Sequence, residues 1–377
     1  MAKKKIIMVF GTRPEAIKMA PLAKALQAES QFETEICLTA QHRQMLDQVM
    51  NIFGLTATYD LDVMRPNQTL AGLTARMLDG LSQVFQKAKP DLVLVHGDTT
   101  TTFVASLVAF YQKIPVGHVE AGLRTGNLLA PWPEEANRQL TSVLTHHHFA
   151  PTETAKQNLL KENISPDRII VTGNTVIDAL LMTRARIEAS DDLKQELHEK
   201  IRVIDDTKKL ILVTGHRREN FGEAFRRVLH ALRVIAERHK DVQIIFPVHL
   251  NPAVQQPVHE ILGEIDNVSL IEPLDYLEFV YLLNLSHLII TDSGGIQEEA
   301  PSLGKPVLVT REVTERPEAV DAGTVLLVGT DDKLIIDFVE MLLTNPEKYQ
   351  HMSRAINPYG DGMACEKIVT YLQNTLL

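Results

Sequence analysis

Three carboxylates stand where predicted strands run out. "DLVLVHGD" ends at Asp98, "PVGHVE" ends at Glu120, and "PWPEEANRQL" puts Glu134 just inside a predicted helix. Acids gathered at one rim of a sheet raise one another's pKa, which suits general acid and base work. A lone surface acid is usually only solvated, so their shared placement is what makes these three candidates. Glu134 and Arg138 also have the i,i+4 spacing of a salt bridge on a helix surface.

Cations and glycines occupy other strand ends. In "GTRPEAIK", Gly11 permits a sharp turn and Pro14 suits the first helical turn. Arg13 and Lys18 then set two cations beside a helix N-terminus, a place for a phosphorylated ligand. Lys18 would equally fit a solvated helix face. "VTGHRREN" brings His216 to a strand end with Arg217 and Arg218 behind it. That histidine could donate to a phosphate, act as an acid, or be a hydrogen-bonded structural residue.

"TDSGGIQEEAPSLGKPVL" opens a helix at Ser293-Gly294-Gly295. Free N–H groups there favour phosphate, and glycine lets the backbone come close. Glu298 and Glu299 lie further along, where a carboxylate can accept from ribose hydroxyls. Phosphate plus sugar reads as a nucleotide. A helix cap followed by exposed acids is the plainer alternative.

Neither a Walker A loop nor a G-x-G-x-x-G fingerprint is present, which disfavours the usual ATP and NAD sites. No cofactor is expected. His146, His147 and His148 are neighbours on a strand and point to alternate faces, so they do not converge on one metal ion. No metal is expected either.

The elements that position these residues alternate along the chain. Apolar runs read as strands: IIMVF, EICLTA, DLVLVHGD, PVGHVE, HHHFAPT and RIIVTG, then LILVTG, QIIFPVH, VSLIEP, HLIITD, KPVLVT and TVLLVG. Amphipathic helical segments such as FRRVLHALRVIAERH separate them. This is the pattern of βαβ units with buried parallel strands, here in two series, hence an α/β protein with two Rossmann-like halves. The seam is expected between Gly173 and Leu210, and the tail EKIVTYLQNTLL is expected to dock as a helix. Ligands of such sheets bind beyond the carboxyl ends of strands, where the polar residues above cluster.

Composition excludes several classes. With 377 residues, an apolar share of 45% and a charged share of 23%, a sizeable core is affordable. A net charge of -10 argues against nucleic acid as a partner. Cys37 and Cys365 are the only cysteines and lie far apart, so neither a disulfide framework nor a zinc site is expected, and a reducing cytoplasm fits. The start MAKKKIIMVFG is too short in its apolar run for a secretory signal, and no stretch reaches the length of a membrane span.

With these motifs in order, the sequence resembles the non-hydrolysing UDP-N-acetylglucosamine 2-epimerases of bacteria. The resemblance rests on GTRPEAIKMAPL, TAQHRQMLDQV, VHGDTTTT, GHVEAGLRTG, PWPEEANRQL, GNTVIDAL, VTGHRRENFG, PVHLNP and TDSGGIQEEAPSLGKPVLV, and covers nearly the whole chain. It implies the glycosyltransferase-B architecture, with two Rossmann-like domains facing a cleft. Residues 1–172 would carry the carboxylates and residues 173–360 would bind UDP. The C-terminal helix, 361–377, would pack back on the first domain.

By motif, the resemblance implies that Ser293, Gly294 and Gly295 hold phosphate, Glu299 the ribose and Phe279 the uracil. Arg13 and His216 would reach the diphosphate, and Lys18 joins the substrate-binding set. Asp98, Glu120 and Glu134 match the catalytic carboxylates, with His216 beside them. The C2 hydrogen of the sugar is not next to a carbonyl, so its direct removal is prohibitive, and a redox route would need NAD. The family's route expels UDP from C1 while the C2 proton is taken. A 2-acetamidoglucal stays bound, and UDP adds back after protonation on the other face, giving UDP-N-acetylmannosamine. Cations and helix N–H groups at the diphosphate lower that barrier, and cleft closure would keep water out.

The family is also activated by its own substrate. Gln41, His42 and Gln44 match that regulatory site, with Arg217 and His249 nearby. One departure is Asn67, which precedes Gln68-Thr69-Leu70 where some members carry Arg; Arg65 lies two residues earlier. The resemblance further suggests a homodimer that supplies UDP-N-acetylmannosamine for surface polysaccharide. Alternatives on the same fold are an epimerase of a UDP-2,3-diacetamido uronic acid, a hydrolysing relative, a glycosyltransferase using a UDP-sugar, and a nucleotide-sugar binding protein without turnover.

Overall fold

Strands covered by helices on both faces must be apolar throughout, and the inner strands of this chain are. In the computed structural model, which describes residues 3–39, 43–65, 68–314 and 316–376, they form two parallel sheets. The first contains β1 (Lys4–Phe10), β2 (Phe32–Leu38), β3 (Tyr59–Asp60), β4 (Leu92–His96), β5 (Val116–Val119), β6 (His147–Ala150) and β7 (Ile169–Val171). Its order is β3-β2-β1-β4-β5-β6-β7. The second contains β8 (Lys209–Thr214), β9 (Val242–Pro247), β10 (Val268–Ile271), β11 (Leu288–Thr291), β12 (Val307–Val309) and β13 (Val325–Leu327), in the order β10-β9-β8-β11-β12-β13.

Every apolar run read as a strand forms one. The strand that was not read, β3, is two residues long and pairs only at the edge, Cys37 beside Tyr59 and Leu38 beside Asp60. Two residues are too few to show a period. In both sheets the chain winds outward from a central strand, β1 or β8, and reverses direction between that strand and the next one over. This is the doubly wound α/β arrangement, with the reversal opening a crevice beyond the strand ends.

The chain divides into two compact units, Met1–Ala179 with Tyr359–Leu377, and Leu180–Pro358. The division falls inside the helix Thr175–Glu188, in the stretch between Gly173 and Leu210. In the first unit Ile7 and Val9 of β1 pack with Val93 and Val95 of β4 and with Met77, Leu81 and Phe85 of the helix Leu70–Ala88. In the second, Ile211 and Val213 of β8 pack with Val228, Leu232 and Ile235 of the helix Glu223–Arg238.

The returning segment completes the first unit. Its helix, Ala364–Leu376, lies on the helix Arg13–Ala28. The ring of Tyr371 meets Phe149 edge-on at 5.7 Å between centroids, and its hydroxyl is 3.0 Å from Nδ1 of His147. Among the described residues no helix is long and apolar enough to cross a membrane.

Candidate active site

The candidate residues fall into one group in each unit. In the first unit they lie at the carboxyl ends of β1, β4 and β5 and at the start of the helix Glu134–Leu144. Gly97 turns the chain after β4 with φ 66°, which glycine adopts without strain. Glu120 turns it after β5 with φ 64°. A non-glycine residue there is uncommon and is strained backbone of the kind found at functional sites.

Glu120 is nearly buried. Its Oε2 accepts from the Lys18 ammonium and, at 2.7 Å, from the Asn174 side-chain amide. Lys18, read with Arg13 as a cation for a phosphorylated ligand, is thus held by a candidate carboxylate. His96 Nε2 is 3.8 Å from the same oxygen. Burial lowers the His96 pKa to about 3, so the ring is neutral. His118, lowered to about 4 by burial, donates from Nε2 to the Gly97 carbonyl at 2.7 Å and braces the turn before Asp98.

Asp98 is paired with Arg138, whose Nε and Nη2 donate to its Oδ2 at 3.0 and 2.6 Å. The Asn137 side chain donates to the Asp98 carbonyl at 2.9 Å. The i,i+4 pair of Glu134 with Arg138 does not form: Arg138 turns to Glu135 instead, at 3.2 Å. The reason is local. Glu135 is fully buried, because it accepts from the backbone N–H groups of Thr125 and Gly126 at 3.1 and 3.2 Å. Although burial pushes its pKa up, these bonds with those from Gln139 and Arg138 prevail and hold it below the ordinary value. Glu134 opens the helix half-buried, and among the described residues its side chain has no hydrogen bond or ion pair.

Two residues of this group escaped the sequence reading. Glu15 is 2% exposed and accepts from the N–H groups of Gly11 and Thr12 and from the hydroxyls of Thr12, Thr99 and Thr102. It fixes the loop that carries Arg13 to the loop that follows Asp98. The T-R-P-E capping box was its available signal. Asn174 had no such signal beyond lying in GNTVIDAL.

In the second unit, Ser293 precedes the six-residue helix Gly294–Glu299, with no side-chain cap of its own. Among the described residues, a Cβ on Gly294 would meet only the Arg316 guanidinium, at 3.8 Å, and one on Gly295 only Glu299 and Ser293, at 3.8 and 3.9 Å. Neither glycine is demanded by the chain's own packing. Arg316, which the sequence reading missed, bonds the buried Glu298 and so stands beside the helix start. Glu299 accepts from the Tyr276 hydroxyl at 3.4 Å, and Phe279 lies half-buried on the same helix as Tyr276, Tyr276–Leu285.

His216 follows β8. Its N–H and that of Arg217 both donate to Oδ2 of the buried Asp292, at 2.9 and 2.8 Å. Its Nδ1 is 3.6 Å from Oδ1 of Asp292, and its ring stacks on His249 at 5.6 Å. Burial lowers the His216 pKa against the pull of Asp292. His249 is exposed and its Nδ1 accepts from the Asn251 N–H. Gln41 and His42 lie outside the described residues, as does Asn67; Gln44 is on the helix Arg43–Phe53. The three histidines diverge: His146 accepts from the Val116 N–H, His147 faces Tyr371, and His148 enters the core.

The chain is similar to known proteins along almost its full length. The family model described as UDP-N-acetylglucosamine 2-epimerase matches residues 24–373. The UDP-N-acetylglucosamine 2-epimerase of Escherichia coli K12 is 60% identical over 370 residues, 98% of each chain. The crystal structure of the Neisseria meningitidis UDP-GlcNAc 2-epimerase bound to UDP-GlcNAc superposes with a TM-score of 0.91 at 54% identity, covering 98% of this chain and 100% of that one. A glycosyltransferase from Rickettsia africae ESF-5 shares the fold alone, with a TM-score of 0.65 at 14% identity and coverage of 100% and 99%. Matched in sequence and in fold over almost its full length, the chain belongs to the UDP-N-acetylglucosamine 2-epimerase family, and is an isomerase.

Proposed function

We propose that the protein interconverts UDP-N-acetylglucosamine and UDP-N-acetylmannosamine by eliminating UDP and adding it back to a bound 2-acetamidoglucal. The observation that carries this reading is the 54% identity, across 98% of the chain, to an epimerase crystallised with UDP-GlcNAc. The second unit holds UDP. The N–H groups of Gly294 and Gly295 and the Ser293 hydroxyl receive the phosphates, the Ser293 N–H being taken by the Thr291 hydroxyl at 2.9 Å, with Arg316 and His216 adding donors, Glu299 taking the ribose and Phe279 the base; Arg13 of the first unit is a further candidate cation. Charge grows on the diphosphate as the C1–O bond breaks, and preorganised donors stabilise it.

The first unit supplies the proton carriers. Removal of the C2 proton from one face and its return on the other call for two groups, and Asp98, Glu120 and Glu134 are the candidates. Asp98 is held by Arg138 and Glu120 by Lys18 and Asn174, which fixes the direction of each carboxylate. Glu134, whose side chain has no hydrogen bond or ion pair among the described residues, is the third candidate. Gln41, His42 and Gln44 of the first unit, and Arg217 and His249 of the second, are proposed to take part in regulation by the substrate.

A homodimer in the cytoplasm belongs to the same reading. Phe110, Tyr111, Trp132, Leu140 and Val143 are exposed on two packed helices of the first unit and the loop beside them, as interface residues are. Both cysteines are buried and unpaired, which suits a reducing compartment.

The test is turnover of UDP-GlcNAc in deuterated water, with oxygen-18 in the C1–O bridge. Deuterium at C2 of both epimers, with the label scrambling into non-bridging diphosphate positions, is the expected result. Inversion with the bridge oxygen retained throughout would sink the elimination. Turnover only of a diacetamido uronic acid, release of free N-acetylmannosamine, or transfer only to an added acceptor would move the activity to the corresponding relative.

A further inference from the structure

The Asn174 side chain does two things. Its carbonyl end accepts from the Val176 N–H at 3.1 Å, the ordinary service of an asparagine at the start of a helix. Its amide end donates to Oε2 of Glu120 at 2.7 Å. The backbone of Asn174 is held as well, its N–H donating to the Tyr359 carbonyl at 2.7 Å.

Tyr359 and Asn174 mark the two connections of the first unit. The chain leaves through the helix Thr175–Glu188 and returns at Tyr359. The two segments touch closely. Gly173 has φ 90°, and a Cβ there would stand 3.2 Å from the Tyr359 carbonyl oxygen and 3.3 Å from Gly360 Cα. Further along, Asp178 accepts from the N–H groups of Ala364 and Cys365, at 3.3 and 2.8 Å, in the first turn of the returning helix. Outgoing and returning segments are thus bonded to each other, and one side chain reaches from their crossing to Glu120.

We propose that Asn174 is a positioning residue for Glu120: it ties the carboxylate to the crossing of the two connecting segments, so that the carboxylate's orientation and proton affinity depend on that crossing. The inference rests on the reading of Glu120 as a proton carrier. Other groups facing Glu120 are Lys18 from the helix Arg13–Ala28, His96 from the end of β4, and His118 from β5 itself. Both histidines are buried and neutral, so among these three groups Lys18 is the cation that opposes a charge placed at Asn174.

Asn174→Asp keeps the acceptor for Val176 and replaces the donor to Glu120 with an anion. A like charge at that distance disfavours ionisation of its neighbour. The acid limb of kcat/KM is expected to move up by about one pH unit, and kcat to fall about tenfold or more, with KM for UDP-GlcNAc changed less than about threefold. Asn174→Ser, which retains a capping group, is expected to lower kcat about tenfold without that shift. Gly173→Ala disturbs the crossing directly; if it acts through Asn174, the double variant with Asn174→Ser loses no more than the worse single variant.

A pH profile for Asn174→Asp that superimposes on the parent, with kcat within about twofold, overturns the proposal. Should that variant not fold, the same kcat criterion applied to Asn174→Ser decides. Strictly additive losses for Gly173→Ala and Asn174→Ser overturn the link to the crossing. Glu120→Gln separates the two readings, because retained turnover there refutes Glu120 as a proton carrier whatever Asn174 does.

Discussion

Arg138 joins Asp98 to the first turn of its own helix through a forked contact: Nε and Nη2 meet one oxygen of Asp98 at 3.0 and 2.6 Å, while Nη1 meets Glu135 at 3.2 Å. A lysine has the charge but not the fork. Arg138→Lys is therefore expected to lower kcat about a hundredfold and to destabilise by about 1–3 kcal/mol, read by steady-state kinetics and urea unfolding. A parental kcat would show that the bridge does not orient Asp98.

The adjacent acids Glu134 and Glu135 should separate function from structure. Glu135 carries the Thr125–Gly126 backbone, Arg138 and Gln139. Glu135→Gln loses acceptor capacity in a buried place and should destabilise by about 2–4 kcal/mol. Glu134→Gln should leave the unfolding midpoint nearly unchanged, within about 0.5 kcal/mol, and abolish deuterium incorporation at C2. The reverse pattern would exchange their roles.

Gly294→Ala should leave the free protein intact, since among the described residues its new Cβ would meet nothing closer than the Arg316 guanidinium at 3.8 Å. If a phosphate sits against that backbone, the added methyl weakens UDP by about tenfold or more in calorimetric titration, about 1.4 kcal/mol. Unchanged affinity for UDP would remove this turn from the phosphate site.

Three buried histidines set the acid limit of the fold. Burial lowers His96 to about 3, His118 to about 4 and His148 to about 3, each below the value of about 6.5 in an unfolded chain. Between those values the unfolded chain binds more protons than the folded one. Stability is therefore full above about pH 6.5 and declines as the pH falls toward about 3–4. His148 has no polar partner for either ring nitrogen among the described residues. His148→Leu should gain up to about 2 kcal/mol over the parent at pH 5 and much less at pH 8, by chemical unfolding at both. An equal effect at the two pH values would mean that His148 is not held neutral.

The fold was legible because parallel buried strands write themselves as apolar runs, and each such run became a strand. Candidate residues could be named where polar groups coincide with a strand end, as at Asp98, Glu120 and His216. Partner choice was not legible. Arg138 has acids at both helical spacings, and only the loop at Thr125 and Gly126, folded back from outside the helix, decides for Glu135. Lys18 meets Glu120, and Asn174 meets it too, across separations of 102 and 54 residues that no periodicity reports. Gln41 and His42 lie outside the described residues, so their expected regulatory role rests on motif alone.

The first unit takes its closing piece, Tyr359–Leu377, from beyond the whole of the second. During synthesis the ribosome must therefore emit Leu180–Pro358 before the helix that covers Phe149 and caps onto Asp178 exists. The unit made first is finished last, while the one made later can complete its core without waiting. Trimming the chain after Pro358 should accordingly loosen the amino-terminal half and spare the half it adjoins.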